Sequence, residues 1–84
     1  MINSKDHPVE WAMLLYELDD ARDHLESLLK EMVASGSIED EGFHIQLRHI
    51  YEHLNRAWHS RNFVGEMPNE RYEEFSRLPN DLKL

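Results

Sequence analysis

The chain has 84 residues and a mass of 10.1 kDa, and its 17 Asp and Glu against nine Lys and Arg give a formal net charge of −8. This length corresponds to one small domain. The negative charge argues against a protein that binds nucleic acid or an anionic membrane surface. The chain contains no cysteine, which excludes disulfides, cysteine-ligated metal centres and thiol catalysis.

The N-terminal residues show no basic segment followed by an apolar one, so no signal peptide is predicted. The longest apolar run covers only residues 11–16, far fewer than a membrane span requires. Together with the absence of cysteine, these observations lead us to expect a soluble protein of the cytoplasm.

The first predicted element is a long amphipathic helix at about 8–34. Pro8 suits the first turn of a helix, because a proline lacks the N–H that would be unpaired there. No other proline or glycine follows until Gly36, which can adopt the left-handed conformation that ends a helix. The apolar residues that recur at alternating spacings of three and four are Trp11, Leu14, Leu18, Ala21, Leu25, Leu28 and Met32.

A second helix is predicted at about 38–61 and a short third one at about 68–77. Ser37 with the acidic residues after it resembles a capping box at the start of the second helix. The apolar residues of the second helix follow the same alternating spacing at Phe43, Leu47, Ile50, Leu54 and Ala57. Since the connection at Gly36 is short, the two long helices should pack antiparallel.

The predicted fold is therefore all-α: a two-helix hairpin plus a short C-terminal helix in a single domain of residues 1–84, with flexible ends at 1–7 and 79–84. A hairpin alone cannot bury both sides of a wide apolar stripe. We expect the third helix to cover the open end of the hairpin and a second copy of the chain to complete a helical bundle as a homodimer.

No arrangement of residues predicts catalysis. Ser60 follows His59 on a helix, where neighbouring side chains point about 100° apart, so the two do not form a dyad. We therefore expect a non-enzymatic protein without a cofactor, which acts by helix–helix association with itself or with a protein partner. The predicted interaction surface consists of Trp11, Leu15, Leu29, Tyr51, Trp58 and Phe63.

An alternative function comes from the six histidines, four of which lie between residues 37 and 62. Antiparallel pairing about Gly36 should place Asp20 opposite His53 and His24 opposite His49. Imidazole and carboxylate groups are ligands for Zn²⁺ and related divalent ions, and mild acid would give the second helix a positive charge. The alternative is thus a metal-binding or pH-responsive protein; the simpler interpretation is ordinary surface pairing of His with acids. The predicted ligands are Glu17, Asp20, His24, His49 and His53.

Overall fold

A computed structural model describes residues 1–77, and the predicted flexible tail at 79–84 lies outside the described residues. The described part contains three helices and no strand: α1 (Pro8–Ser35), α2 (Asp40–Ser60) and α3 (Asn69–Phe75). The two long helices pack against each other. The prediction of an all-α hairpin followed by a short third helix is confirmed.

Helix α1 begins and ends where its sequence predicts, to within one residue. Pro8 occupies the first turn. At the other end Gly36 has φ 69°, in the left-handed region, and its N–H donates a hydrogen bond of 2.9 Å to the carbonyl oxygen of Met32. Because only glycine adopts this conformation without steric cost, Gly36 ends α1 and turns the chain back towards α2.

Helix α2 begins at Asp40, about two residues later than predicted, because the capping box does not form. Its N-cap is Glu39, which makes no side-chain capping hydrogen bond. Ser37 instead belongs to the turn, where its carbonyl oxygen lies 2.6 Å from the hydroxyl oxygen of Ser35. Asp40 and Glu41 occupy the first turn of α2, where the helix dipole favours negative charge.

Helix α3 packs against α2, on a side of that helix different from the side that carries Trp58. The ring of Phe75 is buried and stacks on His59, with their centroids 5.0 Å apart, and Phe63 contacts it edge-on at 6.1 Å. Trp58 remains 60% exposed. The expectation that the third helix covers the open apolar end of the hairpin is therefore wrong for Trp58.

The buried apolar core of the described residues is small. The N-terminal segment contributes to it: Ile2 packs with Leu14, Ala57 and Trp11, and its N–H donates a hydrogen bond of 2.9 Å to the carbonyl oxygen of Arg61. The buried apolar residues are Ile2, Leu14, Ala21, Leu28, Ile50, Ala57 and Phe75. Within residues 1–77, no helix combines the length and the apolar character that a membrane crossing requires.

Candidate functional site

Two faces of the hairpin flank its buried seam. On α1 the seam consists of Leu14, Ala21 and Leu28. Helical periodicity places Leu25 on one side of this stripe and His24 on the other. Because α2 runs antiparallel, its residues on the same two sides complete one apolar face and one polar face. The apolar face consists of Trp11, Leu15, Leu18, Leu25, Leu29 and Val33 from α1 and Leu47, Tyr51, Leu54 and Trp58 from α2.

The apolar face is largely open to solvent. Seven of its ten side chains are exposed: Leu15, Leu18, Leu25, Leu29, Leu54 and Trp58 by 44–60%, and Val33 by 82%. The other three, Trp11, Leu47 and Tyr51, are half-buried. Large side chains of this kind are normally exposed singly rather than as a contiguous surface. The apolar face is therefore a surface that this chain does not cover by itself within residues 1–77.

The structure places five of the six predicted interaction residues on the apolar face. Leu15, Leu29 and Trp58 are exposed there, and Trp11 and Tyr51 are half-buried. The sixth, Phe63, lies apart from that face, against Phe75. The guanidinium of Arg61 lies 3.6 Å from the centroid of the Trp58 ring, a cation–π contact at the end of the apolar face.

The polar face carries three imidazole rings in mutual contact, the histidine cluster of His24, His49 and His53. The ring centroids of His24 and His49 are 5.0 Å apart, as predicted from pairing about Gly36. Those of His24 and His53 are 5.2 Å apart, and those of His49 and His53 are 6.1 Å apart. All three pairs are within 26° of parallel, so the rings are stacked.

Glu17 bridges the histidine cluster and a buried arginine. Its Oε2 atom lies 2.8 Å from Nδ1 of His53, and its Oε1 atom accepts a hydrogen bond of 2.9 Å from Nε of Arg56. Nη2 of Arg56 lies 3.0 Å from the same Nδ1 atom, so a carboxylate that can only accept and a guanidinium that can only donate meet at one ring nitrogen. The prediction placed Asp20 opposite His53; the structure places Glu17 there, one helical turn earlier.

Arg56 is the central residue of this network, with only 7% of its surface exposed. Its Nη1 atom donates a hydrogen bond of 2.9 Å to the hydroxyl oxygen of Ser76, and its guanidinium carbon lies 4.8 Å from the centroid of the Tyr72 ring. One side chain thus contacts all three helical regions. Its sequence position does not distinguish Arg56 from the exposed Arg48, but the pairing register about Gly36 brings it opposite Glu17.

The five predicted metal ligands do not form one site. Asp20 is exposed and makes no hydrogen bond or ion pair within the described part of the chain. Among residues 1–77, no group of three or more His, Asp or Glu side chains is arranged to hold a metal ion. Instead, the rings of three histidines lie against one another, and the carboxylate of Glu17 is hydrogen-bonded to His53 and Arg56.

An open groove of about 650 Å³ borders the polar face. Apolar side chains line most of it, including Met13, Tyr16 and Phe63, and its charged residues are Glu10, Glu17, Arg56 and Glu66. Glu17 and Arg56 are paired with each other, and Glu10 accepts a hydrogen bond of 3.3 Å from the N–H of Gly65.

Comparison of the chain with family models, with curated proteins and with solved structures finds no match.

Proposed function

We propose that this is a non-catalytic cytoplasmic protein that acts by helix–helix association, and that a second copy of the chain covers the apolar face. The resulting homodimer is a four-helix bundle with the two apolar faces packed together. The observation that carries this proposal is the apolar face itself: within residues 1–77, six of its side chains each leave 44–60% of their surface exposed.

The size of the apolar face supports a stable interface. It spans two helices of about 10 Å diameter and about 20 residues of 1.5 Å rise, a footprint on the order of 600 Å². A typical monomer exposes at most about 300–600 Å² of contiguous apolar surface, and a standard interface buries about 800 Å² per partner. The apolar face lies at the upper limit for a monomer and close to the range of an interface.

The charges along the edge of the apolar face favour an identical partner. On α1, Arg22 pairs with Asp19, and Lys30 pairs with Glu26. These pairs leave that edge locally neutral, although the whole chain has a net charge of −8. Two copies related by a two-fold axis can therefore bring the same apolar surfaces together without placing unpaired like charges at this edge.

Sedimentation equilibrium of the full chain tests the proposal. We expect a mass corresponding to two copies of the 10.1 kDa chain. Leu29→Glu puts a charge on the proposed interface and should yield a monomer, because burying an unpaired carboxylate is unfavourable. Ile45→Glu is the matched control, because Ile45 is 57% exposed and Leu29 is 55% exposed. Ile45 lies on α2 outside the apolar face, so its substitution should leave the dimer intact.

Each outcome of this experiment is informative. A wild-type dimer that the Leu29→Glu variant loses and the Ile45→Glu variant keeps supports the proposal. A wild-type monomer at millimolar concentration overturns it and assigns the apolar face to a different protein. A dimer that survives Leu29→Glu but not Ile45→Glu places the interface elsewhere and also overturns it.

A further inference from the structure

We propose that the histidine cluster binds one divalent transition-metal ion, such as Zn²⁺, with His24, His49 and His53 as its protein ligands. This inference concerns the polar face and is independent of the proposed association through the apolar face. Imidazole nitrogen is a favoured ligand for zinc, nickel and copper ions.

The separations of the three rings are close to those of imidazoles on one shared metal ion. His49 and His53 are four residues apart on α2, the spacing at which two helical histidines ligate one zinc ion. With Zn–N bonds of about 2.0–2.1 Å, two imidazoles on one ion have centroids roughly 5 Å apart. The centroids of His24 and His49 and of His24 and His53 are 5.0 and 5.2 Å apart, at this separation. Those of His49 and His53 are 6.1 Å apart and must approach by about 1 Å.

Metal binding requires the rings to turn. In the stacked arrangement the planes are 17–26° from parallel, and the nitrogen atoms do not converge on one point. The torsion between an imidazole ring and its Cβ is broad, so this rotation costs little. His49 is exposed and His24 is half-buried, which leaves both rings able to turn without disturbing the buried seam.

Glu17 holds the ring of His53 in place without being a metal ligand itself. Within residues 1–77, both polar contacts of the ring are made through Nδ1, with Oε2 of Glu17 at 2.8 Å and Nη2 of Arg56 at 3.0 Å, which leaves Nε2 for a metal ion. A carboxylate on the distal nitrogen is the usual outer partner of a metal-bound histidine, where it fixes the tautomer and the ring orientation. The fourth position is available to water.

Zinc titration of the chelator-treated full chain, followed by calorimetry and thermal melting, tests this site. We expect one Zn²⁺ per chain and a rise in melting temperature that a chelator reverses. The His24→Gln and His49→Gln variants should each lose at least tenfold in zinc affinity, since each removes one of three ligands. His44→Gln is the matched control: it removes a half-buried α2 histidine outside the cluster and should bind zinc like the wild type.

A second variant separates this proposal from the dimer. Leu29→Glu should keep wild-type zinc affinity whatever its oligomeric state, because all three ligands come from one chain. A loss of zinc binding in Leu29→Glu, with its helical content unchanged, would overturn the intrachain site. Absence of a zinc-dependent melting shift in the wild type overturns it too, as does equal zinc affinity in the wild type and in folded His24→Gln and His49→Gln variants.

Discussion

The two faces of the hairpin differ in how many of their groups are paired or covered by other residues of the same chain. On the polar face, Glu17, His53 and Arg56 bond to one another, and Arg56 also binds Ser76. On the apolar face, Trp58 is 60% exposed although Arg61 lies over its ring, and Leu15, Leu25 and Leu29 are each about half exposed. The hydrogen bonds of the polar face close within one chain, whereas the apolar face stays open to solvent over residues 1–77.

This difference indicates which face stabilises the folded chain and which one supports association. A buried charged network is costly to break but contributes little as a contact surface, because its groups are already paired. An exposed apolar surface contributes little to the folded monomer but gains free energy when a partner covers it. Substitutions on the two faces should therefore have separable effects.

Arg56→Ala should have the largest effect, a loss of about 3–5 kcal/mol in the free energy of unfolding, because it leaves Glu17 part-buried without its cation. Urea denaturation of the variant measures this loss. Arg48→Ala is the control: the Arg48–Glu52 pair is mostly exposed on the arginine side, so its loss should cost less than about 1 kcal/mol. Equal losses in the two variants would contradict a structural role for the polar network.

Trp58→Ala should weaken the dimer by about 2 kcal/mol, roughly 30-fold in its dissociation constant, because a large aromatic side chain at an interface is typically a hot spot. Its helical content should not change, since Trp58 is 60% exposed and contributes little to the core. Analytical ultracentrifugation and circular dichroism test the two expectations. An unfolded Trp58→Ala protein would show that the residue belongs to the core of the chain.

Protein concentration should change the stability of the wild type but not that of Leu29→Glu. If folding and dimerisation are coupled, each tenfold increase in concentration stabilises the dimer by about 1.4 kcal/mol. Melting curves recorded over a hundredfold range of concentration measure this effect. A wild-type melting temperature that is independent of concentration would contradict coupling between the apolar face and folding.

Two glycine substitutions that lie on neither face should have the smallest effects on the free energy of unfolding, and the effects of the other variants can be compared with them. Gly36→Ala should destabilise the chain by about 1 kcal/mol, because φ 69° is strained for alanine, although no atom lies within 4 Å of the added Cβ. Gly42→Ala should stabilise it by about 0.5–1 kcal/mol, since Gly42 is helical and its nearest neighbour atom would be 3.9 Å away. Urea denaturation measures both, and the same sign for both would contradict the turn geometry.

Regular spacing made the long helices predictable, because alternating intervals of three and four residues fit only a helix. Gly36 made the turn predictable as well. The register across the hairpin was predictable only to about one turn, which is why Asp20 was expected where Glu17 lies. The burial of Arg56 could not be predicted, since its spacing resembles that of a solvent-facing arginine.

The burial of an isolated apolar residue also could not be predicted from the sequence pattern. Ile2 is a single apolar residue in a polar segment, so periodicity gives it no place in the core, yet it packs against Leu14. Its N–H also donates a long-range hydrogen bond to the carbonyl oxygen of Arg61, which no local signal encodes. The stacking of three histidines required the register that only the folded hairpin supplies.

The attachment of α3 through Arg56 has a consequence for how the molecule opens. A helix of seven residues is not stable alone in water, so α3 depends on its contacts with α2, chiefly the buried Phe75 and the contacts of Arg56 with Ser76 and Tyr72. Amide hydrogen exchange in Asn69–Phe75 therefore measures the strength of this anchor rather than the helical propensity of the segment. A change at Arg56 should be detected first as faster exchange in a segment thirteen or more residues further along the chain.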